Sequence, residues 1–149
     1  MLVSKTVIAV AQRGKARLFL HEVPGEGLEE IADLAQPESR ARGVDLDSDR
    51  PGRVHDRVGR ARHAMANEET HKERRASDFA REIARILDER RRREGYDRLI
   101  LVAEPGFLGL LRASLDDVTA SLVDGELRKE LTHESVEELG ARLGRFLMV

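Results

Sequence analysis

The residues best suited to chemistry lie in an arginine-rich segment in the middle of the chain. This segment, residues 50–63, contains five arginines and one acid, Asp56. Its local charge is therefore five minus one, or +4, before either of its two histidines is protonated. Gly52 and Gly59 loosen its backbone. The planar guanidinium group of arginine can donate two hydrogen bonds to one phosphate. A local basic segment therefore allows a protein of negative net charge to contact phosphates. We therefore predict that Arg50, Arg53, Arg57, Arg60 and Arg62 contact phosphate groups.

Three acids that precede this segment leave a second interpretation open. Asp45, Asp47 and Asp49 could pair with its arginines and produce a neutral, ordered flap. The same acids resemble the opening of a calcium loop, but Arg50 and Asp56 stand where such a loop requires glycine and glutamate. We therefore expect no calcium site there.

A second candidate site follows a strongly apolar run at residues 97–103. Ligands of α/β sheets bind beyond the carboxyl ends of strands, and helix N-termini attract anions. Gly106 and Gly109 would permit close approach there, and Arg112 lies further along the same helix. With Asp49 and His55 from the mid-chain segment they form a candidate ligand site. The competing interpretation is core packing, because Phe107, Leu108 and Leu111 lie among them.

Other chemistries lack their residues in this sequence. The chain has no cysteine, which excludes disulfides, thiolate metal sites and a cysteine nucleophile. It has no Gly-x-Ser-x-Gly and no glycine-rich phosphate loop. His55, His63 and His71 recur every eight residues, whereas ligands on one helical face need a spacing of three or four. We predict no catalytic residue, no metal and no cofactor.

Composition limits the partners and the location of the protein. The formal net charge is −2, so only a local patch could attract a polyanion. The apolar stretch at residues 6–11 is shorter than the core of a signal peptide, and no run approaches the 18 apolar residues of a membrane span. We expect a soluble, cytoplasmic protein that does not bind membranes.

The order of elements predicts one α/β domain over residues 1–149, with a mixed sheet, antiparallel strands at its N-terminus and helices packed on it. A long loop at about residues 37–68 separates the first strands from the first helix. Its Arg/Gly-rich composition marks it as the place to look for function. The expected strands are residues 5–11, 16–22, 28–34, 97–103 and 118–124, although Glu29 and Glu30 would also fit a helix. The expected helices are residues 69–94, one beginning at Pro105, and one beginning near Thr132 or at Ser135.

Four consecutive arginines, residues 90–93, end the long helix. Cations in a last turn stabilise the negative end of the helix dipole. We interpret the run as a helix cap on a solvated surface, with a phosphate-binding ridge as the alternative.

Several of these segments resemble one family, the bacterial proteins required for attachment to host cells. They are residues 16–19 (Ala-Arg-Leu-Phe), 48–53 (Ser-Asp-Arg-Pro-Gly-Arg), 79–80 (Phe-Ala), 101–112, which include Phe-Leu-Gly-Leu-Leu-Arg, and 129–132 (Lys-Glu-Leu-Thr). Glu104 stands where the family more often has proline, and Glu130 where it more often has aspartate. The family is similar to the middle domain of class-I translation release factors of archaea and eukaryotes, which implies a ribonuclease-H-like sheet.

The resemblance also sets expectations about function. Release factors carry Gly-Gly-Gln in the loop that corresponds to residues 37–68, and this chain lacks it, so we do not expect peptide release. The leading hypothesis is a non-catalytic domain that binds RNA, tRNA or the ribosome, and a homodimer is left open. One alternative is a small hydrolase or nuclease that uses Asp49, His55 or His63 with Arg112. The other is a factor for host-cell attachment.

Overall fold

The computed structural model describes residues 4–23, 26–36 and 58–147, with side chains from Asn67 onward in the last range. Five strands and five helices are defined in these ranges. The strands are β1 (Thr6–Ala11), β2 (Lys15–His21), β3 (Glu29–Ala35), β4 (Arg98–Val102) and β5 (Val123–Leu127). The helices are α1 (Val58–Glu94), α2 (Pro105–Ser114), α3 (Asp117–Ser121), α4 (Val136–Arg142) and α5 (Gly144–Leu147).

The strands form one mixed sheet in the order β3-β2-β1-β4-β5. β2 is antiparallel to both of its neighbours, while β1, β4 and β5 run parallel. This confirms the predicted α/β fold with antiparallel strands at its N-terminus. It also explains the apolar sequences of β1 and β4, because both strands are covered on both faces.

Side chains of β1 and β4 alternate between two cores, as the two-residue period of a strand requires. Val7 and Leu99 face α1 and α2, whose Phe79 and Phe107 rings lie 6.2 Å apart between centroids. Ile8 and its neighbours on the opposite face pack against α4 and α5. The sheet is therefore the middle layer between two layers of helix.

The first helix begins earlier than the sequence analysis predicts. α1 starts at Val58 rather than near residue 69, so residues 58–68 of the predicted loop have helical backbone. Alanine, arginine and methionine, which are good helix formers, dominate this stretch. It lacks the apolar stripe by which helices are recognised, and for that reason its sequence resembles a loop.

The strand predicted over residues 118–124 begins later than predicted. Residues 117–121 form the short helix α3, whose first turn is capped by Asp116 through a bond from the Thr119 backbone N–H at 2.8 Å. The strand follows it as β5. The valine and threonine of this stretch favour strand, but the cap formed by Asp116 stabilises a helix instead.

Two other boundaries are confirmed by their capping residues. Pro105 is the first residue of α2, as expected from its fixed φ angle and missing N–H. Ser135 caps α4, and Glu138 completes a capping box with it.

Candidate nucleic-acid interface

The parallel strands β1, β4 and β5 all end at the same side of the sheet. The polypeptide segments that meet there are residues 12–15, Gln36, residues 103–106 and residues 128–133, which we call the carboxyl edge. Gln36 joins it through a bond from its backbone N–H to the Gly14 carbonyl at 3.0 Å. Residues 37–57 follow Gln36 in the sequence and lie outside the described ranges. They contain three of the five arginines predicted to contact phosphate.

A buried threonine holds two of these segments together. Thr132 has no exposed surface, and its Oγ1 accepts a bond from Gln12 Nε2 at 2.9 Å. The same hydroxyl donates to Glu130 Oε1, which also accepts the Thr132 backbone N–H at 2.7 Å. Partial burial by itself would raise the pKa of the Glu130 carboxyl, but the two bonds from Thr132, together with nearby positive charges, lower it. Glu130 therefore stays charged and occupied within its own loop.

Arg17 fixes the same loop from β2. Its guanidinium makes a two-point contact with Glu30 on β3, at 3.1 and 2.9 Å. It also donates to the carbonyls of Thr132 at 3.1 Å and Glu134 at 2.6 Å, and it lies 5.0 Å from the centre of the Phe19 ring. Each nitrogen of this guanidinium is bonded within the fold, so Arg17 positions the edge.

The N-terminus of α2 is already occupied by a carboxylate of the chain itself. Glu104 accepts the backbone N–H of Phe107 at 2.9 Å and that of Gly106 at 3.4 Å. Arg13 lies beside it, with Nε 4.0 Å from Glu104 Oε1. Helix N-termini bind anions through these same free N–H groups. Here the groups are already bound, so a further anion would have to displace Glu104.

Gly109 and Arg112 lie further along α2. A side-chain carbon added at Gly109 would meet no atom within 4 Å. Arg112 pairs with Glu126 on β5, with 3.0 Å between Nε and Oε2. Phe107, Leu108 and Leu111 are buried in the core, as the packing interpretation expects, and a ligand at Gly106, Gly109 and Arg112 stays a prediction.

Helix α1 extends beyond the sheet at the carboxyl edge. Phe79 meets Phe107 in the first turn of α2, whereas Arg91 reaches Thr119 and Asp116 at the opposite end of the molecule. Residues 58–75, which we call the arm, therefore extend past the edge for roughly 27 Å at 1.5 Å per residue. Residues 67–74 of the arm are exposed throughout.

Several cations at the edge and on the arm have no acidic partner within the described ranges. Arg128 and Lys129 are exposed at the edge and form no ion pair within the described ranges. The same holds on the arm for Lys72, Arg74 and Arg75. These side chains leave their positive charge available to a ligand.

The four-arginine run at the other end of α1 is neutralised. Each member has a carboxylate within 4.0 Å: Arg90 has Glu94, Arg91 and Arg92 share Asp116, and Arg93 has Glu89. A bond from the Thr119 backbone N–H is the main cause that lowers the pKa of Asp116, with Arg91 contributing, so Asp116 is charged at neutral pH. These contacts favour the helix-cap interpretation over the phosphate ridge.

A comparison with protein families gives one match over most of the chain. The model described as protein required for attachment to host cells matches residues 7–143. This chain belongs to that family.

Comparison with proteins of curated function finds no match for this host-attachment family member. Among solved structures, a chain titled "Archaeal protein" is similar, with 11% sequence identity and a TM-score of 0.46. The alignment covers 95% of the present chain and 41% of the archaeal one. The family member thus spans less than half the length of that structural neighbour.

Several predicted site residues lie outside the described ranges. Asp49, Arg50, Arg53, His55 and Arg57 belong to residues 37–57. Arg60 and Arg62 lie on α1, in the part whose side chains are not described. The phosphate contacts of all five arginines therefore stay predictions, as does the hydrolase or nuclease hypothesis.

Two structural findings bear on metals and membranes. Among the described residues, no group of three or more His, Asp or Glu side chains could hold a metal ion. Within the same part of the chain, no helix has the length and apolarity needed to cross a bilayer.

Sequence reasoning missed the residues that organise the edge. Gln12 and Thr132 form a hydrogen bond although they are 120 residues apart in the sequence, and no local sequence pattern predicts such a contact. Arg17 gave a weak signal, as a charged residue between the apolar residues Ala16 and Leu18 of β2. A partly buried arginine needs several hydrogen-bond acceptors, and Glu30, Thr132 and Glu134 supply them to Arg17.

Proposed function

We propose that this domain binds RNA, free or within the ribosome, and catalyses no reaction. The observation that supports the proposal most is the uneven pairing of its cations. Arg128 and Lys129 at the carboxyl edge have no acidic partner within the described ranges, whereas each arginine of the 90–93 run has one. A phosphate can be attracted only by charge that neighbouring acids have not cancelled.

The position of these cations adds to the argument. The five arginines predicted to contact phosphate belong to the stretch that leaves the sheet at Gln36 and returns into the arm. Arg128 and Lys129 lie at the edge from which that stretch departs. One RNA strand could therefore meet both groups of cations, with the sheet and helices as the scaffold.

Salt dependence of binding provides the direct test. Affinity of the nuclease-treated protein for single-stranded RNA and for purified ribosomes is measured from low to physiological salt. For single strands each phosphate contact contributes about −0.7 to the slope of log affinity against log salt. We expect Arg128→Ala with Lys129→Ala to reduce the slope by about 1.4, and replacement of all five mid-chain arginines to reduce it further.

The matched control uses two cations that are exposed but paired. Arg92 and Arg93 have side-chain exposures of 57% and 76% and carboxylate partners. Their replacement by alanine should leave the slope within error of the parent protein. Binding that is indifferent to salt, or an equal loss in the control, would refute the proposal.

The family description favours a second function, attachment to host cells. Surface biotinylation of intact bacteria tests whether the protein is exposed to the host. Labelling of this chain, together with reduced adhesion of a deletion strain, would support direct attachment. Detection in cytosolic fractions alone would exclude it.

A further inference from the structure

Glu130 is the acid best placed to cancel the free charge at the carboxyl edge. It follows Lys129 directly in the sequence and lies two residues from Arg128, and we call these two cations the cation pair. All three residues are exposed, and none forms an ion pair within the described ranges. Long side chains this close in sequence can reach one another. The cation pair therefore stays free only if something holds the carboxylate elsewhere.

Thr132 holds that carboxylate. Its backbone N–H and its hydroxyl both donate to Oε1 of Glu130, the former at 2.7 Å. Thr132 has no exposed surface, whereas Glu130 lies at the surface. The Thr132 carbonyl is bound in turn by Arg17 at 3.1 Å. The carboxylate is therefore tied to a residue that is itself fixed in the fold.

The direction of the hydroxyl bond follows from a third partner. Gln12 Nε2 donates to Thr132 Oγ1 at 2.9 Å, so it occupies an acceptor position of that oxygen. A hydroxyl has one proton to donate. With Gln12 on the acceptor side, this proton is directed to Glu130. A bond to a charged acceptor is also stronger than a bond between neutral groups.

We propose that Thr132 is a positioning residue for phosphate binding, because its hydroxyl holds Glu130 away from the cation pair. The inference rests on the proposed function, since it concerns the same two cations. It adds a buried polar residue to the cations themselves as a determinant of binding. Without the hydroxyl, Glu130 keeps one bond of the two, and its carboxylate competes with phosphate for a neighbouring cation.

Replacement of the threonine by valine, which has the same shape, tests the proposal. Thr132→Val removes the hydroxyl, and one released carboxylate can cancel one cation. The slope of log affinity for single-stranded RNA against log salt should then be less steep by about 0.7, the contribution of one phosphate contact. Thr132→Ser keeps a hydroxyl and should retain the parent slope.

Neutralising Glu130 separates this role from a structural one. Thr132→Val with Glu130→Gln should return the slope to the parent value, because no carboxylate is left to compete. Glu130→Gln alone should leave the slope within error of the parent protein, since the carboxylate is already held away. The four proteins form a double-mutant cycle. An equal change from Glu130→Gln in both backgrounds would mean that the acid acts at a distance, and the proposal would fail.

A second buried threonine provides the matched control. Thr119 also has no exposed surface, and its Oγ1 accepts a bond from Arg91 Nε at 2.8 Å. Arg91 keeps Asp116 as a partner when this hydroxyl is removed. Thr119→Val should therefore lower stability, as Thr132→Val does, and leave the slope unchanged.

Retention on a heparin column provides a readout that does not depend on RNA. Heparin is a polyanion, so the salt concentration at which a protein elutes reports its free cations. We expect Thr132→Val to elute at lower salt than the parent protein, and its combination with Glu130→Gln to elute with the parent. If Thr132→Val does not fold, Gln12→Leu replaces it in both assays, because it removes the bond that directs the hydroxyl proton. The same shift and the same reversal are then expected.

The two assays allow this inference and the proposed function to fail separately. A parent protein that binds heparin but not RNA would refute the proposed function, and the heparin comparison would still decide the role of Thr132. Elution of Thr132→Val at the salt concentration of the parent would overturn the inference. So would a loss of retention that Glu130→Gln does not reverse, or a parent protein that heparin does not retain.

Discussion

The two halves of α1 lie on one continuous helix and meet opposite surroundings. From Ala76 to Glu94 the helix packs on the sheet, and all six of its arginines have a carboxylate within 4.0 Å. From residue 67 to 75 the helix has left the sheet, and its bases have no acidic partner within the described ranges. One helix therefore carries both a neutralised surface and an available one.

This difference shows that the number of arginines does not indicate a binding surface. Exposed ion pairs add little to stability, with typical values of about 0–1 kcal/mol. They do cancel charge locally, so the packed half of α1 offers phosphate less than its sequence suggests. Burial, pairing and position relative to the sheet distinguish the two halves, and each can be tested separately.

The largest expected effect concerns the packed half. Phe79→Ala removes a ring that is 2% exposed and lies against Phe107, so it leaves a cavity between α1 and the sheet. We expect the free energy of unfolding to fall by about 3–5 kcal/mol. Chemical denaturation measures it. A loss below about 1 kcal/mol would mean that this half does not carry the core.

The opposite layer of helices gives the second largest effect. A side-chain carbon at Gly125 would lie 2.5 Å from Cδ1 of Phe146, so Gly125→Ala forces this ring away from β5. We expect a loss of about 1–3 kcal/mol in the free energy of unfolding. Gly140→Ala is the control, because its added carbon meets no atom within 4 Å and alanine favours helix. Equal effects at the two glycines would contradict the packing described here.

The packed part of the fold could largely be predicted from the sequence. β1 and β4 are apolar runs because both faces are covered, and the stripe from Ala76 to Leu87 has the helical period. Local sequence patterns fail to predict an element where no core contact imposes a periodic apolar pattern, or where a capping residue determines the conformation. Residues 58–68 form helix without a stripe, and Asp116 converts the first part of the predicted strand into α3.

The candidate site was harder to predict, because its organisation depends on contacts between distant residues. Sequence reasoning located the carboxyl end of β4 correctly but predicted a free helix N-terminus there. Glu104 occupies it, and Arg112 turns to Glu126 on a neighbouring strand. Whether an arginine is paired depends on which acid the fold brings within reach, and spacing along the chain does not encode that choice.

A paired carboxylate in the packed region should reveal itself through pH. The bond from Arg17 lowers the pKa of Glu30 below 4.5 in the folded state. Its contribution is present above the unfolded pKa and is lost as pH falls through the folded one. Glu30→Gln should therefore lose about 1 kcal/mol at pH 7 and approach the parent protein's stability near pH 3. Denaturation curves across this range measure it, and a constant difference at every pH would contradict the assignment.

The smallest effect is expected on the arm, where the comparison with the packed half is most direct. Arg74→Ala removes an exposed cation without an ion-pair partner within the described ranges, so the free energy of unfolding should change by no more than about 0.5 kcal/mol. Arg91→Ala removes bonds to the buried Thr119 and to Asp116, at 2.8 and 3.4 Å, and should cost about 1 kcal/mol. Both variants are measured by denaturation at low protein concentration, so that self-association does not contribute. If Arg74→Ala proves as costly as Arg91→Ala, the arm is packed against something within the monomer, and its cations are not free.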